Sequence, residues 1–125
     1  MIYMNDNFLL NQFSHIDGLI FLAVIDNYDG SILKSIGDHH INIDSAILEV
    51  TNIYNMQIKL THQFDPMDYL EGIFISLHNQ YHMITPLESN QNLFLYAILD
   101  HTLTNPAYAR YEIERIEKNL NFYAY

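Results

Sequence analysis

Seven histidines and fifteen acidic residues are the side chains of this sequence with the widest chemical reach. A metal site would need three of them at a recognisable spacing. His78 and His82 flank an Asn79-Gln80 turn, and His39 and His40 are adjacent in a loop, but neither pair has a third ligand in register. Solvated loop histidines and no bound metal are expected, although such residues could still make behaviour depend on pH near neutrality. General acid and base work needs two carboxylates converging on one pocket. Glu112, Glu114 and Glu117 read as a solvated helix face, and Asp26, Asp29 and Asp100 fall at strand ends, where aspartates make turns. Ser14, His15 and Asp17 are the residue types of a hydrolase triad, but they crowd one loop that has no nucleophile elbow. Neither a GxxxxGKS/T phosphate loop nor a GxGxxG turn occurs, so a nucleotide that mattered here would be held by a partner. No catalytic residue and no cofactor are assigned, and the chain reads as a non-enzyme. Of the ten tyrosines, Tyr28 in a turn and Tyr108 and Tyr111 on the last helix offer contact surface, with half-buried structural tyrosines as the ordinary alternative.

Composition narrows the partners. With 125 residues the chain suits one domain, and with half of them hydrophobic and 16% charged it has the material for a core. Five basic residues against fifteen acidic ones give a net charge of -10. That balance opposes nucleic acid, which needs a basic stripe, and an anionic membrane surface, and it favours a basic protein surface. There is no cysteine, which removes disulfides and thiolate metal sites and makes the cytoplasm the expected compartment. The first ten residues do not read as a secretory signal. The longest apolar runs, residues 19–25 and 93–99, are far below the roughly 20 residues a membrane span requires, so no membrane insertion is expected.

Those two runs fix the fold class. Residues 15–37, HIDGLIFLAVIDNYDGSILKSIG, read as a hairpin whose first strand is apolar on both faces, with Asp29-Gly30 as the turn. A strand of that kind needs cover above and below. Residues 4–14 read as a short amphipathic helix capped by Asn5 or Asp6, with Leu9, Leu10, Phe13 and Ile16 inward. Asp44 reads as the cap of a long helix over about residues 45–62 that has two apolar stripes. One passes through Ala46, Val50, Ile53 and Leu60, the other through Ile47, Tyr54 and Ile58, more apolar surface than one sheet needs. Strands follow at 69–77, with Gly72 as a bulge or close approach, then at 81–85 and at 92–100, the last beside the first strand in the sheet centre. Asn105-Pro106 opens a final helix to about residue 121, with Ala109, Ile113, Ile116 and Leu120 inward. The order α-β-β-α-β-β-β-α predicts an α+β fold, a five-stranded antiparallel sheet with one helix on one face and two on the other.

This order and the wording of the hairpin resemble the roadblock family of dynein light chain type, whose bacterial members partner a Ras-like GTPase. The resemblance rests on Gly18, a hydrophobic strand ending at Asp26, the Asp29-Gly30 turn, Thr85-Pro86-Leu87, the strand ending at Asp100, and Asn105 with Ala109-Arg110. It spans about residues 5–118 of a single roadblock-like domain and leaves an aromatic tail, 119–125, without a counterpart. It implies a homodimer, or a heterodimer with a paralogue, joined through the long helix and the third strand. The residues carried over to that interface are Ile47, Val50, Tyr54 and Ile58 on the helix and Ile73, Phe74 and Ile75 on the strand. Tyr28, Tyr108, Arg110 and Tyr111 are the partner-contact candidates, with a helix-face salt bridge as the ordinary role of Arg110. The reading that follows is a non-enzymatic dimeric adaptor that binds a small Ras-like GTPase and stabilises one of its states. The alternative is a small-molecule-sensing module with a pocket between helix and sheet.

Overall fold

Two runs without polar alternation can be strands only where both faces are covered, and the computed structural model, which describes residues 2–3, 7–38, 42–120 and 123–124, places them there. In chain order the elements are β1 (Ile2–Tyr3), a 3-10 helix (Asn7–Phe13), β2 (Leu19–Asp26), β3 (Ile32–Gly37), α1 (Ile43–Phe64), β4 (Ile73–Ser76), β5 (Gln80–Pro86), β6 (Leu93–Asp100), α2 (Pro106–Glu117) and β7 (Tyr123–Ala124). The main sheet is antiparallel in the order β3-β2-β6-β5-β4, so the two apolar runs, β2 and β6, are neighbours inside it. Alternate residues feed two cores. Leu22, Val24, Leu95 and Ala97 meet the 3-10 helix and α2, while Phe21, Ala23, Phe94 and Tyr96 meet α1. The terminal segments pair separately as β1 with β7.

The fold class and element order agree with the sequence reading, and the differences have local causes. The first helix is 3-10 rather than α. Its inward residues Leu10 and Phe13 are three apart, which a period of three lines up on one side, and Ile16 keeps that spacing in the turn that follows, where its amide donates to the Phe13 carbonyl. Asn5 and Asp6, expected as its cap, lie outside the described residues, as do His39, His40 and the tail residues Phe122 and Tyr125. The cap of α1 is Asn42, whose side chain accepts from the Ser45 amide, rather than Asp44, which lies in the first turn where its charge suits the helix dipole. β4 is shorter than 69–77. Pairing extended beyond Ile73↔Ile84 would bring Glu71 opposite Pro86, which has no N–H to give. α2 ends at Glu117, where the amides of Asn119 and Leu120 turn back to the carbonyls of Ile116 and Glu117. Gly18 has φ +84°, and a Cβ there would fall 2.1 Å from Thr104 Oγ1, so only glycine takes the chain into β2.

Candidate functional site

Helix α1 spans 22 residues, and only one of its two apolar stripes faces the sheet. Ile43, Ile47, Val50, Thr51 and Tyr54 are buried. Tyr54 stacks on Phe94 at 4.4 Å between ring centroids, and its hydroxyl donates to the Gln91 carbonyl. Burial raises the Tyr54 pKa to about 12, so the phenol stays neutral. Thr51 satisfies its buried hydroxyl by donating to the Ile47 carbonyl at 2.8 Å. The other stripe is covered only at its first turns, where Val50 is buried and Ala46 half-buried; beyond them Ile53 and Leu60, with Met56 and Phe64 beside them, have no cover. Ile53 is 41% exposed, Met56 71%, Leu60 43% and Phe64 85%. Ile53, Met56 and Leu60 line a shallow groove of about 500 Å³ with Gln57, Lys59 and Gln63.

β4 forms one edge of the sheet, and it is as apolar as the helix stripe. Ile73 is half-buried and packs on the α1-side core, as Ile58 does from the helix, and Ile75 is half-buried on the same side of the strand. Phe74 points to the opposite face, where it is about half exposed and lies 5.3 Å from the Tyr81 ring. Of the helix residues that the family resemblance assigns to an interface, Ile47 and Tyr54 are therefore covered by this chain's own sheet, and Val50 is 7% exposed. The open residues are Ile53, Met56, Leu60 and Phe64. Periodicity revealed both stripes; which one meets the sheet was not in it.

The partner-contact candidates fall into two groups. Tyr28 is almost fully exposed in the turn after Asp26, whose carboxylate accepts the Tyr28 amide, at the end of the sheet where Asp26 pairs with Leu93. Tyr108 and Tyr111 are exposed on the helix that follows Asp100, at the other end of β6. Arg110 makes an i,i+4 ion pair with Glu114, Nε to Oε1 3.0 Å.

Several titratable residues do not have the solvated roles the sequence suggested. Glu112 and Glu117 are buried rather than on a solvated face. Glu117 comes four residues after the buried Ile113 and so shares its face, a signal present in the sequence. Glu112 joins His15 (Nε2 to Oε2 3.1 Å) and Arg115 (Nη2 to Oε2 2.7 Å), and hydrogen bonding from Arg115, ahead of that from His15, lowers its pKa. His15 thus faces Glu112, and the Ser14 hydroxyl donates to the Asn11 carbonyl at 2.6 Å; they do not converge with Asp17 as a triad. His82 is not a solvated loop residue either. It lies within β5, accepts from the Tyr96 hydroxyl at Nδ1 (2.9 Å) and faces Gln80 Oε1 with Nε2 (3.0 Å), and burial lowers its pKa, so it is held as the neutral ring. Among the described residues no group of three His, Cys, Asp or Glu side chains could hold a metal ion, and no helix is long and apolar enough to cross a membrane.

No protein-family model matches this chain, and no curated protein matches it in sequence. Solved structures match it in shape. A roadblock/LC7 domain from Streptomyces avermitilis is 11% identical with a TM-score of 0.76, over 91% of this chain and 92% of that one. The gliding protein MglB from Thermus thermophilus is 12% identical with a TM-score of 0.74, over 88% of this chain and 81% of that one. An MglB structure described as a tetrameric arrangement is 13% identical with a TM-score of 0.76, over 90% of this chain and 82% of that one. With a five-stranded sheet in the order described and helices on both faces, the chain has the roadblock fold, the fold that its opening hairpin and its element order resembled.

Proposed function

We propose that this protein is a non-enzymatic dimeric adaptor that binds a small Ras-like GTPase and regulates or localises it, acting in the cytoplasm by stabilising one state of its partner. The observation that carries the dimer is the conjunction of an uncovered apolar stripe on α1 with an apolar edge strand, β4. An open edge of this kind is an aggregation hazard unless something pairs with it, and a second copy offers the same edge and the same stripe. Two copies, or one copy and a paralogue, would join at β4 through Ile73, Phe74 and Ile75. They would close over Ile53, Met56 and Leu60 of α1, with Ile58 at the margin and Ile47, Val50 and Tyr54 supporting the helix from beneath.

The GTPase partner follows from the roadblock resemblance, and the acidic charge suits a basic protein surface. Tyr28, Tyr108, Arg110 and Tyr111 are the proposed contacts. The mechanism is a population shift: the adaptor binds one nucleotide state of the GTPase more tightly and so enriches it. Affinity capture on the purified protein, run in parallel with GDP and with a non-hydrolysable GTP analogue, tests this. Retention of a Ras-like GTPase in one nucleotide state is expected; absence of any GTPase under both conditions overturns the reading.

A further inference from the structure

The edge strand that is open to pairing has a titratable ring directly behind it. His82 on β5 lies opposite Ile75 on β4, and Ile84, two residues on, lies opposite Ile73 and packs on the α1-side core. His82 therefore stands on the α1 side of the sheet, beside two residues of the proposed interface. Its hydrogen bonds select the neutral ring. Gln80 Oε1 can only accept, so Nε2 carries the ring proton and Nδ1 is left to accept from the hydroxyl of Tyr96, a residue 2% exposed. A second proton on Nδ1 would turn that acceptor into a donor, and the buried Tyr96 hydroxyl would have to give its hydrogen elsewhere. Burial lowers the His82 pKa in the same sense.

No carboxylate among the described residues pairs with this ring. β4 presents Ile75, and β5 presents Gln80 and Ile84, with His78 exposed just before it. β6 presents Tyr96 and Ile98, and at its end Asp100, opposite Gln80, accepts the Thr102 and Leu103 amides. α1, over the same face, carries Asp44, Glu49, Lys59 and His62, all exposed and none bonded to His82. In the single chain the ring is part-exposed, so a proton can reach it. In the dimer proposed above, on which this inference rests, a second copy joins at β4 and brings its own α1 over the same side of the joined sheet. Charging the ring there buries an unpaired cation, and charging it in the single chain does not. We propose that His82 makes self-association acid-sensitive: with the ring neutral two copies close over the β4 edge, and proton uptake by the ring holds them apart. Dimerisation then releases protons wherever the single chain has bound one at His82, so the dimer weakens as pH falls.

Sedimentation equilibrium on the full chain at about pH 7.5 and about pH 5.5, on either side of the ordinary histidine pKa of about 6.5, reads this, with circular dichroism checking the fold at each pH. The dimer dissociation constant should rise about tenfold or more in acid, within the ceiling of about a hundredfold per pH unit set by one proton per protomer. The direction is telling. Protonating exposed histidines reduces the net charge of -10 and the repulsion between copies, which by itself tightens the dimer. His82→Asn places an oxygen near the position of Nδ1 for the Tyr96 hydroxyl and takes up no proton, so its dissociation constant should not rise in acid. Should that variant misfold, His82→Leu combined with Tyr96→Phe removes both partners of the hydrogen bond and gives the same comparison. His62→Gln, in the last turn of α1, should keep the acid sensitivity of the unmodified chain. A dimer as tight or tighter at the acid pH, or an acid loss that persists without His82 or disappears in His62→Gln, overturns the inference and leaves the dimer standing. A chain that is monomeric at both pH values overturns the dimer and this inference with it.

Discussion

Replacing Leu60 by Asp separates the proposed interface from the core. In the single chain Leu60 is 43% exposed, Ile53 41% and Met56 71%, so each has apolar surface left to bury. Complete burial of a side chain of this size contributes about 1.5–3 kcal/mol, so covering what remains open gives about 1 kcal/mol each for Ile53 and Leu60 and about 1.5 kcal/mol for Met56. A two-fold axis uses every residue twice, which brings the helix contact to about 7 kcal/mol before ordering costs. Leu60→Asp removes its share on both sides. It also leaves a carboxylate in an apolar contact, at a cost of about 1–3 kcal/mol per protomer. The combined loss is about 4 kcal/mol or more, roughly a thousandfold in the dimer dissociation constant. Sedimentation equilibrium reads this directly, and circular dichroism should show an intact fold, because the site is half open in the monomer. Tyr54→Ala is the contrasting case. It removes the stacking on Phe94 and leaves a cavity beneath α1, so it should destabilise the chain by about 3–5 kcal/mol whatever the oligomeric state. A Leu60→Asp protein that dimerises as tightly as the unmodified one refutes the placement of the contact on this stripe.

The two buried glutamates of α2 should respond to pH in opposite senses. Folding lowers the Glu112 pKa, so the carboxylate stabilises the fold above its ordinary titration range and that contribution is lost as pH falls through the depressed value; Glu112→Gln should therefore lower the melting temperature at neutral pH, with the gap closing in acid. Folding raises the Glu117 pKa, so the folded chain binds more protons and loses stability as pH rises through that window; Glu117→Gln should melt higher than the parent at neutral pH, and this gap too should close on acidification. Thermal melts across pH check both, and parallel shifts of one sign would contradict the opposed environments. Gly18→Ala should destabilise by about 1–2 kcal/mol or more in urea titration, since alanine resists positive φ and its methyl group meets Thr104 Oγ1. A neutral result there would mean that the turn into β2 relaxes freely.

Local patterns in the sequence determined most of the architecture. Residues 19–25 and 93–99 could be strands only in the middle of a covered sheet, and Asp29-Gly30, Asn105-Pro106 and the inward stripe of α2 marked their elements from single residues and spacings. Those signals act within a few residues, so they survive without a partner. The candidate site depended on what each face meets. The two stripes of α1 are alike in apolar character, and only the sheet, by taking Ile47 and Tyr54 beneath it, leaves Ile53, Met56 and Leu60 open. Charge was as uninformative. Glu117 looked like any surface glutamate until folding brought the Glu88 amide, 29 residues away in sequence, against its carboxylate, and His82 looked like a turn residue until Tyr96 of the neighbouring strand met its ring. Periodicity fixes which side chains share a face; what covers that face is decided by contacts between elements distant in the chain, which no local pattern encodes.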